Sequence, residues 1–429
     1  MKKKYRIILY TSIFLLCVVA SIILVVKKSN SVYEEESKPK VVKHKSMLSM
    51  NLEQTAGAGD YKTVTQSGWP TEGYKFNTEL SRCENGSTLS WDDTKKAVIV
   101  SGNLSDKCYV YFDIYQPTLA EYIKSQYTGT QGENNIYYHD SDLANGAGDN
   151  SYRYAGANPN NFVCFGSDTS PCPTDNLYRI IGVFGENYHG VTGKQLVKLI
   201  KYDYMTTDEL GTDGDYSQTY KEWGMDSTYK GTYGDGERIG VYYWNYKATG
   251  SATNTWSTSL LNKTNLNTNF INYLGTTWAN KIATVTWKVG GNTWANIGTK
   301  TSSVAYTNEI TNPVTTNTTD NATTYSAKIG LMYVSDYGFA ASPDAWTLTM
   351  SSYNNTTATN NNWMYMGLYE WTISRFAGIS DGAFRVSSGG DVSSNLVLGN
   401  LGVRASFNLE SSVSYVSGSG SMSDPIVIN

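Results

Sequence analysis

Four aromatic residues fall within nine positions near the C-terminal end: Trp363, Tyr365, Tyr369 and Trp371. Flat rings at that density can stack on a sugar or form a protein-contact patch, and a Tyr- and Trp-rich β domain can equally bury them. Arg375, Asp381 and Asp391 follow closely and would add hydrogen bonds to a polar ligand. These seven are the candidate ligand-binding residues.

Catalytic chemistry is harder to place. Glu370, Asp381 and Asp391 lie near aromatic residues, as the paired carboxylates of a glycoside hydrolase do, but their separations are not written in the sequence. Glu370 beside Trp371 reads as a structural hydrogen-bonding residue. A Ser-His-Asp hydrolase needs a well-placed histidine. His139 sits in a polar stretch and His189 in a Gly-rich loop; neither lies near a G-x-S-x-G elbow, and both read as exposed loop residues. No catalytic residue is assigned, and the chain is not read as an enzyme. Oxygen-rich loops at Asp140-Ser-Asp142-Leu-Ala-Asn145-Gly146 and from Asp208 to Asp213 and Asp215 could take calcium, yet the first misses the EF-hand spacing and reads as a solvated turn. No other cofactor and no metal ligand is expected. Zinc lacks a C-x-x-C pair, and the three histidines, His44 included, are scattered.

Composition sets the compartment. Only 17% of the 429 residues are charged while 13% are aromatic, with 34 tyrosines. Six of the 34 basic residues and none of the 38 acidic ones lie in 1–28, so the remainder carries a net charge of −10. That excludes an electrostatic nucleic-acid binder. Outside the first 28 residues the cysteines number four, Cys83, Cys108, Cys164 and Cys172. In an oxidising compartment they should pair. Three connectivities exist, and the local one, Cys83–Cys108 with Cys164–Cys172, needs the fewest assumptions.

Residues 7–26 are apolar and uncharged. At about 1.5 Å per residue a helix of that length spans roughly a hydrocarbon core. Val18-Val19-Ala20 resembles a cleavage site, but the apolar run continues beyond it, so an uncleaved signal-anchor is expected. Four basic residues precede the span and two follow, which favours a cytoplasmic N-terminus and extracellular C-terminal domains in a single-pass protein of the cell membrane.

The expected organisation is a transmembrane signal-anchor over 1–28, a polar tether over 29–49, a small β-sandwich-like module over 50–115, a helical linker over 116–128 and a large domain over 129–429. Within the last, 176–184 and 195–201 read as a hairpin, and Leu266, Phe270, Leu274 and Trp278 mark an amphipathic helix. Residues 329–334 read as a strand.

The order of motifs in 150–429 is distinctive. It runs through Tyr154-Ala-Gly-Ala-Asn-Pro-Asn-Asn-Phe162, Tyr178-Arg-Ile-Ile-Gly-Val-Phe184, Ile329-Gly-Leu-Met-Tyr-Val-Ser-Asp-Tyr-Gly338, Tyr369-Glu-Trp-Thr372 and Gly418-Ser-Gly-Ser-Met-Ser-Asp-Pro-Ile426. This resembles a domain of unknown function common in surface proteins of Firmicutes and related low-GC bacteria. More distantly, Leu368-Tyr-Glu-Trp-Thr372, Arg385-Val-Ser-Ser-Gly-Gly390 and Gly402-Val-Arg404 are similar to the sulfatase-modifying (formylglycine-generating) branch of the C-type-lectin fold. The resemblance implies an α+β chain with a C-type-lectin-like head rich in irregular loops. It does not imply that branch's chemistry, because no cysteine follows Cys172. The lectin tripeptides Glu-Pro-Asn, Gln-Pro-Asp and Trp-Asn-Asp are also lacking.

The expected function is therefore a membrane-anchored, non-catalytic binding or adhesion protein that recognises a glycan or a surface protein. The alternatives are a cell-envelope enzyme acting on cell-wall glycan and a structural surface-layer component. Protease added to intact cells should remove nearly the whole chain and leave a short anchor fragment. Release of soluble protein beginning near Ser21 would contradict that topology.

Overall fold

The computed structural model describes residues 48–429 apart from 66, 71–72, 104, 213–216, 221–229, 232–238, 247–251 and 314–322. The expected anchor, the tether up to residue 47, and Asp213 and Asp215 lie outside the described residues. Among the described residues no helix is long and apolar enough to cross a membrane. Sheet dominates, at about 32% strand against 22% helix. The expectation of an α+β, C-type-lectin-like chain is corrected accordingly: the described chain is built mainly of sheets, with short helical segments between them. The physical reason lies in the sequence. Its β-branched and aromatic runs favour strands, while its Gly- and Asn-rich stretches keep helices short.

The chain divides into two compact units, ending and beginning at Tyr115 and Gln116. In the first, Leu48–Glu53 and Cys108–Ile114 pair in parallel at the centre of a five-stranded sheet. Tyr61–Val64 flanks the former, and Tyr74–Phe76 and Arg82–Cys83 flank the latter, all antiparallel. A separate hairpin joins Thr88–Asp92 to Ala97–Ser101. Met50, Leu52, Val110 and Phe112 form the core. Trp69, Phe76 and Trp91 surround the Phe112 ring at 5.6–5.9 Å. So small a core is commonly reinforced by covalent staples. Here Cys83 and Cys108 are cross-strand neighbours joined by a disulfide.

The second unit holds two seven-stranded sheets. One runs Ile329–Gly330, Ser406–Asn408, Leu196–Lys201, Leu177–Phe184, Ser151–Tyr154, Ile136–His139, with Phe162–Cys164 also on Leu177–Phe184. The other runs Ser217–Tyr220, Ile239–Tyr242, Leu401–Gly402, Glu370–Phe376, Gly382–Val386, Val392–Leu396, with Gly291–Asn292 on Glu370–Phe376. Leu177–Phe184 and Leu196–Lys201 pair antiparallel, and every residue of both is buried, which explains their near-continuous apolar sequence. The second disulfide, Cys164–Cys172, closes a short loop in this unit.

The expected linker helix is Leu119–Ser125. Thr118 caps it, its hydroxyl accepting from Glu121 N at 3.2 Å while the Glu121 carboxylate accepts from Thr118 N at 2.9 Å. Leu119 and Ile123 are fully buried and the helix packs on the hairpin, so it belongs to the second unit. Leu266, Phe270, Leu274 and Trp278 are all buried on a helical run. Its first part, Leu261–Phe270, is a π-helix, whose wider turn suits a four-residue spacing; Gly275, at φ 71°, then kinks the α-helical part, Ile271–Ala279. The strand expected over 329–334 stops at Gly330, and a helix, Val334–Ala340, follows.

Replacing both Cys83 and Cys108 by Ala should lower the stability of the first unit by about 3 kcal/mol, from the entropy of the released loop. Calorimetry of the full chain should show one transition shifted down and the other unmoved. Coincident shifts of both, or of neither, would contradict the division.

Candidate functional site

Three stretches meet at one end of the first large sheet. The chain from Tyr154 to Phe162 is pinned on both sides. Phe162 N donates to Gly420 O at 2.8 Å, and Trp363 N donates to Gly156 O at 2.9 Å. The approach at Gly420 is close enough that a Cβ there would strike Asn160 O, and its φ of 80° also requires glycine. Asn161, wholly buried, donates its amide to Ile180 O at 2.8 Å and so fixes this chain onto the Leu177–Phe184 strand.

Between these stretches lies a cleft of about 490 Å³. Arg179, from the Leu177–Phe184 strand, forms part of its floor, and Phe162, Trp363 and Met366 are buried beside it. The guanidinium lies 4.3 Å from the Phe162 ring centre and 4.7 Å from that of Trp363. At the mouth stand the exposed Asn158, Asn160, Asn360 and Met422. Lys230 completes it. Its backbone is held by Met366 O at 3.0 Å and by the Tyr202 hydroxyl at 3.2 Å. Its ammonium donates to Thr359 O at 2.8 Å and lies 4.8 Å from the Tyr365 ring centre. No carboxylate is among the described residues lining the cleft.

Of the seven candidate binding residues, only Trp363 lines this cleft. It is 3% exposed, with its indole N–H given to Tyr154 O at 2.8 Å. Tyr365 is buried, its hydroxyl donating to Ser388 O. Tyr369 is half-buried under the Arg385 guanidinium at 4.2 Å. Trp371 is fully buried and donates to Tyr242 O at 2.8 Å, so it offers no face to a ligand. Arg375 is buried too, against Gly291, and two of its nitrogens have no hydrogen-bond partner. Asp381 is half-buried in the turn after Phe376, and its carbonyl accepts from Val397 N at 2.8 Å. Asp391 closes another turn by accepting from the Ser387 hydroxyl. The seven therefore do not form one site. Their closeness in sequence suggested one patch, whereas Glu370–Phe376 is a central strand buried on both faces except at Phe376.

The catalytic alternatives fare as follows. Glu370 accepts two charge-assisted hydrogen bonds from Arg404, both at 2.8 Å, inside the core. Burial pushes its carboxyl up against the pull of that arginine. Gly378-Ile-Ser-Asp-Gly382 does match G-x-S-x-G, but it forms the turn of an antiparallel hairpin, not the strand-to-helix elbow that such a nucleophile needs. The Asn254 amide ties that turn together through Phe376 O, Ile379 O and Gly382 O at 2.8–3.0 Å. The Asp140 carboxylate accepts from Asp142 N and Leu143 N, both at 3.0 Å, an ordinary turn cap.

Both described histidines are corrected from exposed to buried. His139 is 0% exposed, with Nδ1 accepting from Ala147 N at 3.0 Å and the ring packed on Phe339 and Trp346. His189 is 1% exposed and closes its loop through Val191 N and Phe184 O, both at 3.0 Å. Polar and Gly-rich surroundings suggested solvent, but an imidazole can satisfy loop backbone from within.

The residues missed at first are Arg179, Lys230 and the amides at the mouth. Arg179 carried a signal: one cation within an apolar strand sequence has to be buried with it. Lys230 carried none, because the groups that hold it lie 28 residues away at Tyr202 and 129 residues away at Thr359. No family model, curated protein or solved structure matches the chain.

Burial, and next the charge of Arg153, hold His139 well below the ordinary imidazole value of 6.5. The unfolded chain therefore takes up a proton below pH 6.5 that the folded chain refuses. His139 contributes fully above pH 6.5 and costs about 1.4 kcal/mol per pH unit as pH falls below it. Chemical denaturation at pH 7.0, 6.0 and 5.5 should show the wild type losing more stability than His139→Asn. Equal losses would contradict a buried neutral imidazole.

Proposed function

We propose that this chain is a membrane-anchored, non-catalytic binding protein of the cell surface, and that its second unit takes a glycan in the cleft at Arg179. The observation that carries this reading is the cleft itself. It is a concave site of ligand size whose floor joins the Arg179 guanidinium to apolar Phe162, Trp363 and Met366, with a few polar groups converging at its mouth. Asn158, Asn160 and Asn360 offer both donors and acceptors, the pairing that sugar hydroxyls require. Tyr202 and Met422 supply apolar surface beside them. A glycoside hydrolase needs two facing carboxylates, and the lining supplies neither, which favours binding over cleavage. The similarity of its motif order to surface proteins of low-GC bacteria supports a cell-envelope setting. Three of those motifs, 154–162, 178–184 and 418–426, contribute lining residues.

A glycan screen with the purified full chain tests the reading. Asn158→Ala with Asn360→Ala removes two exposed amides, and loss of two hydrogen bonds of about 1 kcal/mol each should weaken binding of any hit at least about tenfold. Melting at the wild-type temperature would show that the fold is intact. A chain that binds no glycan, or a double variant that binds as the wild type does, would remove the assignment.

A further inference from the structure

Most interior cations of the second unit follow a rule that two arginines, Arg179 and Arg375, depart from. Arg153, Lys198, Lys201 and Arg404, each at most 4% exposed at the side chain, all stand in ion pairs with Asp149, Asp336, Glu209 or Glu370 at 2.7–2.8 Å. Arg179 is 6% exposed and has no carboxylate partner among the described residues. Neutral acceptors serve it instead: Asn161 Oδ1 at 2.7 Å, Pro159 O at 3.1 Å and Trp363 O at 3.5 Å. A guanidinium has five N–H groups, so with three engaged, two remain. Arg375 also lacks a carboxylate, but only Arg179 lines the cleft.

A second cation faces the same space. Lys230 is exposed at the cleft mouth, and among the described residues its ammonium is held by the carbonyls of Thr359 and Asn362 and by the Tyr365 ring. Arg179 and Lys230 repel one another, and that repulsion, after burial, lowers Lys230. Two like charges converging on one cleft, with no acid among its described lining, are costly unless something else neutralises them. Asp391, in the turn at Ser387, lies outside the cleft lining and supplies no counter-charge there.

We infer that the ligand of this cleft carries an anionic group, a carboxylate or phosphate on a saccharide, which sits between the Arg179 guanidinium and the Lys230 ammonium. The planar fork suits a bidentate oxyanion, and the mobile lysine acts as a point charge above it. This rests on the proposed glycan reading and narrows it to acidic sugars. Neutral amides at the rim would hold the hydroxyls while the floor reads the charge.

Isothermal titration of the full chain separates the parts. The probes are trigalacturonate, its fully methyl-esterified neutral counterpart, glucose 6-phosphate and orthophosphate. The charged saccharides should bind, with the ester at least about tenfold weaker, and Lys230→Glu should lower the affinity of every anion at least about tenfold. Lys230 is exposed and its backbone contacts are retained in that variant, and an unchanged melting temperature would verify the fold. An ester that binds as tightly as the acid would overturn the anion inference and leave the glycan reading standing. Orthophosphate binding lost in Lys230→Glu, with no saccharide bound, would keep the anion site and overturn the glycan reading. No binding by any probe, or anion binding unchanged in Lys230→Glu, would overturn the inference.

Discussion

The interior of the second unit is organised by the cost of burying charge. Asp336, fully buried, accepts from Lys198 Nζ at 2.7 Å, from the Tyr188 hydroxyl at 2.6 Å and from Tyr333 N at 3.0 Å, with Arg153 at 3.8 Å. Through those bonds one carboxylate ties the Val334–Ala340 helix to two strands and a loop. Glu309 does the same from another side, accepting from Val334 N and Ser335 N at 3.1 and 2.9 Å and from the Ser374 hydroxyl. Removing either carboxylate would leave buried donors without a partner, a penalty far larger than the net worth of the bonds. Such groups specify one arrangement of sheet and helix where apolar packing alone would tolerate several.

Seen beside that network, the cleft is a local departure from the same physics. Arg179 is buried as deeply as its paired neighbours are, yet its partners are a neutral amide oxygen, carbonyls and two ring faces. Burial pushes it down to about 9, so it remains charged at neutral pH. Aromatic faces offset part of a cation's lost hydration, though less than a carboxylate does. The fold therefore keeps a positive potential in a concave site, and the surrounding pinning of 154–162 and 418–426 holds that site open without help from a ligand. Preorganisation of this kind favours affinity because little ordering remains to be done on binding.

Much of the scaffold is legible in the sequence. Continuous apolar runs mark the 177–184 and 196–201 strands, a capping box marks the helix at 119, and four cysteines imply the two local bridges. The site is less so. Trp371 could have been a stacking or a buried ring; it is buried, and the polar Glu370, Thr372 and Ser374 around it find interior partners at Arg404, Phe384 O and Glu309. Those partners lie 12 to 65 residues away, so no local pattern announces them. The histidines misled in the same way, since polar loops around them turn inward. Trp363 was found, but for stacking on a sugar, whereas its ring stacks on Arg179. The cleft is assembled from pieces of chain more than 250 residues apart, and although the 154–162, 178–184 and 418–426 stretches stood out as motifs, nothing local says that they meet.

A crystal structure of the protein soaked in selenate is the most direct test, because a tetrahedral oxyanion with an anomalous signal reports its own position. The predicted result is a peak in the cleft, with selenate oxygens within hydrogen-bond distance of the Arg179 guanidinium and the Lys230 ammonium. A cleft without selenate, in crystals that bind it elsewhere, would contradict a site built to hold an anion.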